Sequence, residues 1–243
     1  MSSFTLTNKE SIVIDRSVTL IVDSDEINIT YDLKDGDYSV LLFNDHHGEV
    51  IMNENGKIEN AYVKINYLQL EQHNLKQNSS IHVGKGSSLS VSSTCLGTRQ
   101  KQIVYDLYND GSDSSVDISN NIVCLEDADF SLECIGTIVK GARRSKCHQS
   151  THCLTMDSVK KARVLPVLNI DENDVEASHS LASGTIDEEI LFYMNSRGMN
   201  KKDALNLILR SYLMPGDDYY SSFEDGKAIQ ERAIRKVDEI CSM

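Results

Sequence analysis

Apolar and polar residues alternate in short runs through the first two-thirds of the chain. Such runs are Tyr62–Tyr67 (YVKINY), Ser79–Val83 (SSIHV), Leu89–Cys95 (LSVSSTC), Ile103–Tyr108 (IVYDLY), Ser115–Ile118 and Phe130–Val139 (FSLECIGTIV). A period of two is that of a strand buried on one face. β-Branched residues are frequent in these runs, and no proline precedes Pro166. Residues 1–75 also read as strands, and no helix-length pattern occurs before Thr185.

A loose turn recurs between the strands. Val83-Gly-Lys-Gly86-Ser-Ser-Leu89 resembles Leu125-Glu-Asp-Ala128-Asp-Phe-Ser, and Met156-Asp-Ser-Val-Lys-Lys-Ala162 is a third version. Each puts a small residue (Gly86, Ala128 or Ala162) shortly after an apolar one. A chain coiling into stacked rungs needs small residues where it bends, so the repeat predicts an irregular β-helix. An antiparallel sandwich has similar turns, and the pattern alone leaves both open.

The period changes near residue 185, dividing the chain into a β core over 1–184 and a small helical domain over 185–243. Thr185-Ile-Asp-Glu188 is a capping-box pattern, and Ile186, Ile190 and Met194 follow at helical spacing. Arg197 suits a last turn and Gly198 a left-handed position just beyond it. Asn200 can cap a second helix that carries Ala204, Leu205, Ile208, Leu209 and Tyr212 on one stripe. Met214-Pro215-Gly216 stops it, 217–225 reads as a loop, and a third helix spans about Lys227–Cys241. Three short helices after a β core suggest a docking module or a cap on the open end of the stack.

Composition narrows the function. Trp is absent and aromatics make up only 6 %, so the core is aliphatic and suits narrow stacked strands. A net charge of −13 repels phosphate backbones and anionic lipid surfaces, which argues against nucleic-acid and membrane partners. The N-terminal residues lack the basic and apolar regions of a signal peptide, and no run is long enough to span a bilayer. A cytoplasmic protein is expected. Its six cysteines are then reduced thiols, and without a CxxC pair they support neither a zinc ribbon nor a thioredoxin-like site.

One stretch carries a family likeness. Pro166-Val-Leu-Asn-Ile170 is followed in order by Asp174-Val-Glu-Ala-Ser-His179, Gly184-Thr-Ile-Asp-Glu-Glu, Leu191-Phe-Tyr193, Ser196-Arg-Gly198 and Ala204. Their order and spacing resemble the core of the SufB/SufD family of iron–sulfur cluster assembly scaffolds, closely over about 145–213 and diffusely over about 80–240. The resemblance implies a right-handed parallel β-helix followed by a C-terminal helical domain, which decides against the sandwich. It implies pairing with a second SufB/SufD-type subunit, as a hetero- or homodimer, through β-helix ends. It also implies docking of a SufC-type ABC ATPase on the helical domain, with Leu191, Phe192, Tyr193, Arg197, Gly198 and Ala204 as the corresponding surface. An iron–sulfur cluster would form transiently at the subunit interface, with sulfur from a separate donor protein. No nucleotide is expected on this chain, which has no GxxxxGK[ST]. Family members are longer and carry an N-terminal helical region, where residues 1–75 here read as strands.

His179 matches the family's interfacial histidine, and imidazole can bind iron or carry a proton. B-type members follow that histidine with Glu and most D-type members with Gly; Ser180 fits neither. Cys153, in Cys153-Leu-Thr-Met156, echoes the functional Cys-x-Ser-Met of B-type scaffolds, at a shorter distance from Pro166. A thiolate there could accept sulfur or hold iron; the plainer reading is an inward-facing core thiol. His179 and Cys153 are thus the candidate metal ligands, with Ser180 beside them at the interface.

Cys147, His148, His152 and Cys153 form a dense run, but strand alternation puts the cysteines on one face and the histidines on the other, so the four cannot share one metal. His46-His47 lies in an Asn-Asp-His-His-Gly segment and reads as a solvated turn. The competing functions are an inert structural partner in the same assembly, a carbohydrate-active β-helix enzyme and a hexapeptide-repeat acyltransferase. The last needs a strict six-residue period that the sequence lacks.

Overall fold

Every strand pairing among the described residues is parallel. The computed structural model describes residues 2–6, 10–156, 159–216, 218–221, 223 and 226–242. Among them thirteen strands form one coiled sheet. They are β1 (Ser2–Leu6), β2 (Glu10–Ile14), β3 (Val18–Val22), β4 (Glu26–Asn44), β5 (Val50–Gln69), β6 (Leu75–Val83), β7 (Ser88–Gly97), β8 (Gln100–Asn109), β9 (Ser115–Cys124), β10 (Asp129–Ile138), β11 (Lys146–Thr155), β12 (Lys161–Ile170) and β13 (Glu176–Gly184).

The long strand β5 shows how the coil is built. Its first part pairs with β6 and its second with β7. From there one wall climbs β5-β7-β9-β11-β13 and the other β5-β6-β8-β10-β12. The result is a parallel β-helix of about six turns. Inward residues of successive rungs stack, Ile65 on Val91 on Ile118 in one wall and Ile103 on Leu132 in the other, and all join one aliphatic core.

The corners rely on left-handed backbone. Asp35, Asn60, Asp113 and Arg144 take φ between 50° and 61° where one wall turns into the other. Asn and Asp tolerate this region best. Side chains stitch the corner column together, Asn60 donating to Asp35 at 2.7 Å and the Arg144 guanidinium pairing with Asp113 at 2.7 Å. Gly86, read from sequence as a bend, does take positive φ, at 68°. At the second predicted bend the left-handed residue is Asp127, and Ala128 is fully buried in the core. Residues 157 and 158 of the third version lie outside the described residues.

The helices are α1 (Glu188–Ser196), α2 (Lys201–Leu213), α3 (Asp218–Ser221) and α4 (Gly226–Ser242). They lie against the side of the coil, α2 packing on β7 and β9, and do not close its end. Leu70, Leu96, Val123 and Leu154 make an apolar stripe up that flank, covered by Leu209, Leu213, Ala233 and Val237. Tyr220, Phe223 and Ile229 cover Leu41, Phe43 and Leu68 beside it. Asn200 caps α2 as its sequence predicts, accepting from the Asp203 N–H at 2.9 Å. The cap of α1 is Asp187, which accepts from Glu189 N–H at 2.8 Å; Thr185 precedes that cap. The short helix α3 occupies part of the segment read as a loop.

Candidate functional site

The last rung is open. Among the described residues β12 pairs only with β10 and β13 only with β11, so each has a free edge. Pro166 sits in β12, a terminal strand, where its missing N–H leaves no gap in an interior ladder. All nine residues of β13 are exposed.

Register fixes where the β13 side chains sit. His179 pairs with Gln149, whose neighbours alternate between buried and accessible, and Gln149 itself is buried. His179 therefore stands on the inward row, with Ala177, Leu181 and Ser183, over the mouth of the coil. Ser180 belongs to the outward row, donating to Ser150 Oγ at 3.2 Å. Across the mouth, Val164, Pro166 and Leu168 of β12 continue the inward row of β10. The mouth is thus mainly apolar, with one imidazole and the Ser183 hydroxyl as its polar groups. Gln149 spans it from below, donating to the Val167 carbonyl at 3.1 Å.

Cys153 is on the same inward row as His179, one rung deeper and four positions further along the register. It is 3 % exposed. The Cys124 thiol and the Ser183 hydroxyl both hydrogen-bond it, which holds its own thiol below the usual range against the opposing effect of burial. Cys124 is pushed up correspondingly, first by that shared bond and then by burial. Cys95 completes this interior group beside Lys101, whose ammonium is fully buried and pulled down by desolvation. Cys134 and Cys147, nearer the other side of the interior, are both pushed up to about 12 by burial. Cys147 and Cys153 face inward while His148 and His152 do not, as strand alternation requires.

The structure therefore brings His179 and Cys153 to one face of one wall, and puts Ser180 on the other. A polarised thiol and an imidazole are apt for sulfur and iron, although here one lies below the mouth and the other at it.

The second candidate surface is α1, which buries none of its residues. Phe192 is 74 % and Tyr193 58 % exposed, with Ile190 and Leu207 also exposed beside them. Arg197 lies over the Tyr193 ring at 5.2 Å. Gly198 takes φ 90° and ends the helix, donating to the Asn195 carbonyl at 2.9 Å. Leu191 is partly covered, and Ala204, on α2, is fully buried, so it acts as a spacer and not as surface. Of the stripe Ile186, Ile190 and Met194, Ile186 packs against the apolar flank of the coil while Ile190 is exposed, and α1 makes its main contacts with α2.

A family model described as "SUF system FeS cluster assembly, SufBD core domain" matches residues 28–212. The chain belongs to the SufBD core family. It is similar to the iron–sulfur cluster assembly protein SufD of Bacillus subtilis, 35 % identical over 81 residues, which is 33 % of this chain and 18 % of that protein. A SufBD family protein of Pyrococcus horikoshii is 35 % identical over 80 residues, with the same shares of the two chains. Escherichia coli SufD is 31 % identical over 75 residues, 31 % of this chain and 18 % of that one. Each match thus spans less than a fifth of the relative's own length. Family membership supports a role in the Suf system. Among the described residues no helix is long and apolar enough to cross a membrane.

Three features lay outside the sequence reading. Lys101 and Glu54 are ionisable groups on strands, and only the coil's register makes them interior. His47, Glu71 and His73 come together because the turn after β4 lies beside the turn after β5, one coil later. The signal was the rung length itself, since His47 and His73 are separated by about the same interval as the paired residues Val40 and Ile65.

Proposed function

We propose that this protein is a non-catalytic subunit of a Suf-type scaffold, pairing through its open β12–β13 end with a second SufB/SufD-type subunit. The observation that carries this reading is that end: two free strand edges, an uncovered, mainly apolar mouth and one inward histidine. An exposed edge of this kind is a template for pairing with another chain, and soluble proteins cover or blunt it. The iron–sulfur cluster is the cargo, assembled at the resulting interface with His179 as an iron ligand. The exposed Phe192, Tyr193 and Ile190 of α1 are the docking surface for a SufC-type ABC ATPase, and sulfur comes from a separate donor protein.

The buried state of Cys153 and the outward position of Ser180 favour a second reading, in which this subunit completes the interface without holding iron. Both readings predict the assembly; they differ over His179.

The test is anaerobic co-expression of the full chain with a SufB-type subunit and a SufC-type ATPase. Copurification of all three is expected. Leu181→Arg is expected to release the scaffold partner, and the pair Phe192→Ala and Tyr193→Ala to release the ATPase. A chain that elutes alone in the presence of both sinks the proposal. Lower cluster yield in His179→Ala, with the complex intact, supports the iron-ligand role; unchanged yield leaves the passive partner.

A further inference from the structure

We propose that His47, Glu71 and His73 form a binding site for one divalent transition-metal ion of the zinc class, set on the side of the β-helix. The site is independent of the scaffold reading. It lies at the turns flanking β5, and β7, β9 and β11 separate β5 from the open end in that wall.

The three residues each offer a ligand atom, and these atoms lie within 4.8 Å of one another. Tetrahedral coordination with bonds of about 2 Å needs ligand atoms roughly 3.3 Å apart. Side-chain rotation covers that difference. The two turns are held side by side by the backbone, Val50 N–H donating to the Asn74 carbonyl at 3.0 Å.

Each ligand has its own support. His47 follows His46, whose ring is clamped between Asp23 at 3.0 Å and Asp25 at 2.9 Å. Gly48 leaves room for this clamp, since a Cβ there would sit 2.7 Å from His46 Nε2 and displace the ring. The His47 and His73 rings meet edge to face with centroids 6.3 Å apart. Glu71 is only 8 % exposed. Its backbone carbonyl accepts from the buried Lys101 ammonium at 2.6 Å. Its carboxylate Oε1 meets Lys236 of α4, which also binds Asp45 at 2.9 Å.

That last contact orders the ligand without closing the site. Lys236 holds Oε1, and the metal takes the second oxygen, an arrangement in which an outer partner orients a ligating carboxylate. Asp23, Asp25, Asp45 and Glu49 around the turns supply negative charge against the Lys236 and Lys101 ammoniums.

The donor set defines the ion. Two imidazoles and one carboxylate suit zinc, iron(II) or cobalt(II), whereas magnesium and calcium prefer oxygen alone. Three protein ligands leave a fourth position for water or a small ligand. Beside His73 lies a cavity of about 470 Å³, lined by Glu49, Gln72, Asn74 and Arg99, into which that position can open.

The experiment titrates cobalt(II) and then zinc(II) into the metal-stripped full chain. One equivalent of cobalt is expected, with visible d–d bands and no thiolate charge-transfer band in the near ultraviolet. His47→Ala and His73→Ala are each expected to weaken it roughly tenfold or more, and zinc is expected to raise the melting temperature of the parent protein only. Because His47 is exposed, its variant tests the site without threatening the fold. Undiminished cobalt affinity in the double variant His47→Ala with His73→Ala overturns the site. A thiolate band overturns it equally, since the metal then sits on cysteine.

Discussion

The interior of the lower rungs carries a carboxylate, and its removal tests how the coil tolerates polar groups. Glu54 is fully enclosed and accepts from Tyr31 Oη at 2.7 Å, Tyr67 Oη at 2.9 Å, Gln77 Nε2 at 2.9 Å and the Ser79 hydroxyl. Glu54→Ala leaves four buried donors facing a void. Ser79 and Gln77 are near enough to pair with each other, at 3.5 Å. Gln77 donates in that pair and one phenol can donate to the other, so the Ser79 hydroxyl and one phenol are left without an acceptor. At about 1–3 kcal/mol for each unsatisfied group, the loss is about 2–6 kcal/mol before any cavity term. That is a large share of a typical domain's stability. Glu54→Gln keeps the volume and one acceptor oxygen, and is expected to cost less. The pair also differ in pH response. Burial raises the Glu54 carboxyl above its ordinary value, more than its four donors lower it. The folded state therefore holds this proton more tightly than the unfolded chain. Its contribution is fully present below the ordinary carboxylate range and is lost as pH rises through the raised folded value. Urea unfolding of parent and Glu54→Gln across mildly acid to neutral pH measures this. The parent is expected to lose stability relative to the variant as pH rises. A difference that is flat, or that grows in the parent's favour with pH, refutes the account of an enclosed and desolvated carboxyl.

Three further outcomes follow from the packing. Leu213→Ala opens a hole between α2 and the apolar stripe on the coil, and is expected to cost about 2–5 kcal/mol by chemical denaturation. Gly136→Ala places a Cβ 2.4 Å from the Cys147 sulfur and 2.9 Å from Gln149 Nε2 just beneath the mouth. It is expected to lower stability by about 1–3 kcal/mol and to shift Gln149, visible as a changed amide resonance. Native-state alkylation is expected to modify Cys153 ahead of Cys134 and Cys147, because its thiol is pulled down while theirs are pushed up to about 12. Peptide mapping that finds Cys134 modified first would contradict that order.

Alternation and β-branching made the strands legible, and the likeness around His179 decided between coil and sandwich. The caps at Asn200 and Gly198 were readable because each rests on a local side-chain or φ requirement. Corners were harder. The turn at Arg144 needs left-handed backbone that an arginine does not advertise, and its pairing with Asp113 of the neighbouring rung is what holds it. The amphipathic stripe of α1 foretold the helix but not its burial. Helical spacing reports that one face is apolar, not that this protein covers it, and here Ile190 stays exposed. The site was half legible. Local alternation placed Cys147 and Cys153 on one face, yet the separation of His179 from Cys153 depends on inter-strand register, as does the meeting of His47 with His73.

Register also constrains what the open end can do chemically. Cys153 and His179 share a row, but Ser183, not His179, is the residue that pairs with Cys153. Four positions along a strand amount to about 13 Å, too far for one iron to bridge both side chains in this arrangement. A site using both therefore requires β13 to move relative to β11. Among the rungs β13 is suited to such movement, since it pairs on one side only and all its residues are exposed. Local opening draws on elements with few buried contacts. Moving Ser183 off Cys153 would uncover the thiol while the Cys124 bond, the larger of the two influences that lower it, stays in place, and a slide in that direction would bring His179 along the row toward it. The geometry thus joins access to the thiol and placement of the imidazole in one motion of the edge strand, and a partner that adds a strand to that edge would control both.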